Sequence, residues 1–188
     1  MQQILGALAS VLIAMVFMAV AAMVDRKKSL VKTDFDKSTI SMFGEDKEFS
    51  KIIIPGCLLI GLLNIPFSIG LNNLTGGLGI ILNLLSGITS LALILTGISV
   101  VRPGGIFHIV MSHIFLGVLF IFEMLVSYKL TKIDFKWGWY MISILLTNLG
   151  LTLGLLIKLK KENGVVEIVF LGFSSLWLLI TAVFLMVK

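Results

Sequence analysis

The sequence predicts an all-α protein: one domain over residues 1–188, folded as an integral membrane bundle of six transmembrane helices with one longer polar loop. Three observations predict it. Of the 188 residues, 58% are hydrophobic and only 13% charged, about half the charged share of an ordinary soluble domain. Mean hydropathy is +1.10, so the chain lacks the residues to cover a core with a charged surface, and its bulk belongs in lipid. The apolar residues fall into six runs of bilayer-crossing length, about 20 residues each. Lysine and arginine gather between alternate runs, the pattern of a chain threaded back and forth through a membrane.

The first run covers residues 4–24. Its "AVAAM" looks like a signal-peptide cleavage site, but no basic residue precedes it and it is longer than a signal h-region, so it reads as a spanning helix. The second run, 52–71, carries Pro55 near its start, where proline is tolerated. Pro66 stands among Asn64, Ser68 and Asn72, where a lost backbone donor predicts a kink. The third run, 79–101, places Gly79, Asn83, Ser86, Ser90 and Gly97 within about 60° of one another on a helix, a small and weakly polar face suited to close helix packing. The fourth is 106–128 and the fifth 138–157. The fifth carries Thr147, Asn148, Thr152 and the "GLTLG" pair Gly150 and Gly154, which reads as a close-packing face. The sixth is 166–187, with Glu167 in its first turn, where a carboxylate meets the positive end of the helix dipole.

The links are short except residues 25–51. "NNLTGG" suits a tight turn, and "RPGG", "KLTKIDFKW" and "KLKKENG" make the other connections. The links after runs one, three and five hold eleven of the 15 Lys and Arg residues. That side is expected to be cytoplasmic, with both termini outside the cell membrane. Trp137, Trp139, Tyr140 and Tyr128 form an expected interfacial belt on the other side. The net charge of +5 and pI near 9.4 are explained by this topology, so no nucleic-acid partner is expected. Cys57, the single cysteine, reads as a small hydrophobe.

Polar residues inside the spans are where chemistry can reside. The fourth run, "GIFHIVMSHIFLGVLFIFEMLVSYK", puts His108, Ser112 and Glu123 within about 60° on one helix face. His113 points elsewhere. The chain has two histidines, and at i and i+5 they do not face one metal ion, so no metal site and no cofactor are expected. His108 and Glu123 are about 22 Å apart along the helix and form no acid–base pair. Glu123 is the carboxylate within a span: either it reaches the interface or a neighbouring helix, or it carries a proton or pairs with a cation in a cavity. No Ser/His/Asp constellation or phosphate loop appears.

The word "ISMFGE", Ile40 to Glu45, resembles the Ser-x-x-Gly word in the first loop of domain-of-unknown-function family 998. Ser41 and Gly44 are the matching residues, and Met42 stands where that family often has aspartate. "IIIPGCLLIGLLNIPFSIGL" is similar to its second helix. "HIVMSHIFLG" is similar to its fourth, placing His108, Ser112 and Phe115 on the pattern. The resemblance spans most of Phe35 to Leu130 and implies a multi-pass protein of about six helices. It brings no activity with it. Ser38, Thr39 and Ser41 suit the cap of a short surface helix, which would lie over His108.

Two functional readings follow. The first is a protein without catalytic machinery, an accessory subunit of a membrane complex or a lipid-binding protein, whose ligand or lipid pocket draws on Asn64, Asn83, Ser86, His108, Ser112 and Glu123. The second is a membrane enzyme or transporter acting on a lipid or small molecule through Ser41 and His108, or through Glu123. Expected partners are the lipid bilayer and partner subunits.

Overall fold

The computed structural model describes residues 1–31, 47–75, 78–99, 106–159 and 164–187. Six helices account for nearly all of them: α1 (Gln2–Val31), α2 (Lys47–Thr75), α3 (Gly79–Ser99), α4 (Ile106–Ile133), α5 (Phe135–Leu159) and α6 (Gly164–Val187). Each is long and apolar enough to cross a membrane, and the described residues contain no strand. The chain is thus a multi-pass helical bundle, as its composition requires. Each helix packs on its neighbour in sequence, and α1 also packs on α6. The six therefore close into a ring. Short links force consecutive helices to lie side by side. Closure of the ring is fixed by a contact across almost the whole chain, where Ser10 Oγ of α1 donates to the Leu178 carbonyl of α6 at 2.6 Å.

The ring is held by close approach and by hydrogen bonds, because lipid tails give apolar side chains no reason to prefer one another. Gly6 and Gly70 meet where α1 crosses α2. A Cβ on Gly6 would lie 2.7 Å from the Gly70 Cα, so the two backbones touch. Between α2 and α3 runs a polar seam. Asn64 Nδ2 donates to the Ser86 carbonyl at 3.1 Å and to Ser90 Oγ at 3.0 Å. Ser86 Oγ donates back to the Asn64 carbonyl at 3.3 Å, and Ser68 Oγ donates to Asn83 Oδ1 at 2.5 Å. Three alternate helices send rings to the axis. Phe67, Phe122 and Trp177 are mutually edge-on, with centroids 6.1, 6.2 and 6.4 Å apart, the arrangement aromatic quadrupoles favour.

Three expectations need correcting. The link "KLTKIDFKW" is almost entirely helical: α4 continues to Ile133, and Asp134 alone separates it from α5. Lysine is a good helix former, so the end of the apolar run marks the bilayer edge and not the end of the helix. Asp134 Oδ1 accepts the Trp137 N–H at 3.3 Å, an N-cap that starts α5 at once. Gly138 lets the turn close, since a Cβ there would strike the Thr131 backbone. Pro55 is not near a helix start, because α2 begins at Lys47 and runs through both prolines. The Gly150–Gly154 pair is not a packing face here: a Cβ on either would meet nothing within 4 Å. The polar word around Ser41, with Ser38 and Thr39, lies outside the described residues.

The aromatic belt is divided. Tyr128, Trp139 and Tyr140 are exposed, and Lys132 Nζ sits 5.3 Å above the Tyr128 ring. Trp137 turns inward, half-buried, with its ring 6.0 Å from that of Phe184.

Candidate functional site

The C-terminal ends of α1, α3 and α5 define one end of the ring, called here the basic end because the links that follow them in sequence carry most of the lysines and arginines. From that end the chain builds a cavity of about 110 Å³ along the axis. Five helices wall it. Phe17 comes from α1, Ile60 from α2, Leu93 from α3, Phe115 from α4 and Leu171 from α6. The wall is apolar apart from the Thr96 and Ser112 hydroxyls, the Cys57 thiol and the Glu167 carboxylate. A second space of about 20 Å³ continues deeper, sharing Phe17, Ile60, Leu93 and Phe115 and bordered by the Phe67, Phe122 and Trp177 rings. From Ser112 to Phe122 the path follows α4 for about 15 Å, half the thickness of the hydrocarbon core. An engineered apolar cavity of similar size stays dry and takes a small hydrocarbon.

Helix α5 contributes no residue to either space. Its last buried residue is Asn148, and none of residues 149–159 is buried. In the other half of the bundle α5 is firmly seated, with Met141 and Leu145 fully enclosed. Asn148 Nδ2 donates to the Phe170 carbonyl at 3.3 Å, and Thr152 Oγ1 donates to Asn148 Oδ1 at 3.2 Å. Toward the basic end Thr152, Leu155, Leu156 and Leu159 are half-buried at helical spacing, and α5 packs on both α4 and α6.

Helix α4 carries the unusual chemistry. Among the described residues, three buried side-chain atoms lack a hydrogen-bond partner: His108 Nε2, Ser112 Oγ and Glu123 Oε1. All three are on α4, on the face its 100° periodicity groups together. His108 is buried and held through Nδ1, 2.9 Å from Ser99 Oγ. That contact, together with a backbone hydrogen bond to Thr96, fixes the ring. Ser112 stands one turn deeper and lines the cavity. Its hydroxyl behaves unlike its counterparts. Thr89, Ser90, Thr96, Ser127, Ser143, Thr147, Ser175 and Thr181 all donate to the carbonyl four residues back, the usual resting place of a hydroxyl in a helix. Ser112 does not.

Glu123 sits apart. It is 0% exposed, lines neither space, and does not reach for the interface. Its Oε2 accepts from Ser174 Oγ of α6 at 3.5 Å. Beside it, Trp177 Nε1 donates to Ser127 Oγ at 2.8 Å, and Ser127 Oγ donates to the Glu123 carbonyl at 2.8 Å. The carboxyl thus belongs to a polar knot between α4 and α6.

The chain matches no protein family, no curated protein and no solved structure. Its site must be read from its own residues.

The six pocket residues expected from the sequence do not converge. Asn64, Asn83 and Ser86 are spent on the α2–α3 seam, and of these only Asn64 touches the deeper space. Ser112 lines the main cavity with His108 one turn away, while Glu123 is in the knot. Ser41 lies outside the described residues. His113 is exposed, with Nδ1 2.7 Å from the Ile109 carbonyl. Among the described residues no group of three metal-ligating side chains assembles. Sequence reasoning missed the apolar wall, above all Phe17, Ile60, Leu93 and Phe115. Their signal was ordinary hydrophobicity, shared with every lipid-facing neighbour.

Proposed function

We propose that this protein binds a membrane lipid, part of whose apolar chain enters the axial cavity. The observation that carries the reading is the cavity itself: about 110 Å³, walled by five helices, apolar over nearly all its lining, and extended inward to the middle of the bundle. Ligand sites in helical bundles lie between the helices, with an apolar lining and few polar groups. A spanning bundle with no ligand has no need of such a space, because each lost packing contact weakens it. Kinship of the fold with family 998, suggested by "HIVMSHIFLG" and the second helix, forms part of the same proposal and adds no activity.

The test is native mass spectrometry of the protein extracted in mild detergent, for the wild type and for Leu116→Trp, which places an indole into the cavity. The expected result is a discrete lipid-sized mass increment on the wild type that Leu116→Trp loses. A wild type that carries no lipid, or that carries only other polypeptides, overturns lipid binding. The second of these outcomes replaces it with the subunit role.

A further inference from the structure

Among the described residues Glu123 is the acidic side chain enclosed on every side, 0% exposed. A carboxylate in such a place needs several strong donors or a cation around it; without them the group keeps its proton. The knot offers little. Oε2 accepts from Ser174 Oγ at 3.5 Å, and Oε1 has no partner; the one bond is at the long limit for a hydrogen bond. Two shorter bonds in the same knot bypass the carboxyl. Trp177 Nε1 donates to Ser127 Oγ and Ser127 Oγ to the Glu123 backbone carbonyl, each at 2.8 Å. The surrounding helices bring no counter-charge to it. Lys129 and Lys132 leave α4 at about 120° and 180° from Glu123 round the helix. Lys136 and Tyr140 of α5 are exposed. Helix α3 has no titratable residue, and α2 and α6 carry theirs toward the basic end, between Lys47 and Cys57 and at Glu167.

We infer that Glu123 is a proton-binding site coupled to the contact between α4 and α6, its side chain carried as a neutral carboxylic acid with the proton on Oε1 and Ser174 donating to Oε2. The packing selects the ligand. A metal cation needs several oxygen ligands and room for them. Among the described residues no group of three metal-ligating side chains assembles, and neither axial space reaches Glu123. A proton needs neither. The place of the carboxyl gives the proton its consequence. Phe122, next to Glu123, and Trp177, one turn from Ser174, meet edge-on at 6.4 Å, so the carboxyl stands at the level where α4 and α6 touch across the ring. With the proton bound, the two helices close on a neutral group. With the proton lost, the same contact would enclose a bare charge, and the helices must part or let water in. The site does not rest on the lipid-binding reading.

The experiment is infrared spectroscopy of the purified full chain at neutral pH in a detergent without ester groups. The carbonyl stretch of a carboxylic acid lies well above those of amides and carboxylates. The wild type should show that band, Glu123→Gln should lose it, and glutamate labelled with carbon-13 at the side-chain carboxyl should move it to lower frequency. The labelled wild type carries no substitution, so it reads the proton even where Glu123→Gln fails to fold. A wild type without the band holds a carboxylate and overturns the proton site. A band that survives Glu123→Gln, or that stays in place in the labelled protein, belongs to another group and overturns it equally. The coupling is read in a chain with Trp137→Phe and Trp139→Phe, where Trp177 alone emits. As the pH is raised, loss of the acid band and a change in Trp177 emission should share one interval, and adding Glu123→Gln should leave the emission unchanged across it. Loss of the band with constant emission overturns the coupling, as does an equal emission change in the Glu123→Gln chain.

Discussion

A single buried carboxyl shows how far one residue can be read. That Glu123 is the acidic residue within a span is plain from the sequence. That its partner is Ser174 is not, because the two are 51 residues apart and meet only once the ring has closed. The carboxyl is fully enclosed and holds one long hydrogen bond, so its shape contributes more than its charge. Glu123→Gln keeps the shape and an acceptor for Ser174, and should change unfolding stability by no more than about 1 kcal/mol. Glu123→Ala leaves a void between α4 and α6 and should cost roughly 2–5 kcal/mol. Thermal unfolding in detergent, followed by tryptophan fluorescence, reads both, since Trp177 borders the same knot. Equal losses in the two variants would mean that the ionisable group itself holds the helices, against a packing role.

At the scale of helices, the apolar runs located six helices, and α1, α2 and α4 extend beyond them. Hydropathy reports where lipid begins, and a helix continues past that point wherever its residues allow. The same limit hid the turn at Asp134. Small-residue patterns were less informative, since a glycine pair states that close approach is allowed and not that a neighbour is there. Gly6 and Gly70 lie in no shared motif, yet their backbones touch. Gly150 and Gly154 form the recognisable pattern, and among the described residues no other helix comes within 4 Å of a Cβ placed there. Gly6→Leu should therefore cost roughly 1–3 kcal/mol by forcing α1 from α2. Gly150→Leu should stay within about 0.5 kcal/mol. Denaturation midpoints measured side by side decide between them. A large loss at Gly150 would show that α5 meets a second molecule through that face.

The whole molecule was legible as a six-helix bundle and not as a ring with an axial cavity, because the cavity depends on α1 closing against α6, a contact between the two ends of the chain. What the sequence does constrain at this scale is orientation. Eleven of 15 basic residues fall in the links and helix ends of one side, and cytoplasmic retention of lysine and arginine orients multi-pass chains. The cavity begins at that same end, so the positive-inside bias predicts that the lipid site belongs to the cytoplasmic leaflet. The single cysteine makes this measurable: with Cys57→Ser as background, new cysteines are placed at Lys158 near the end of α5 and at Lys136 near its start. A membrane-impermeant maleimide added to intact cells should label Lys136→Cys directly and Lys158→Cys only after the membrane is opened. The reverse pattern would invert the bundle and move the site to the outer leaflet.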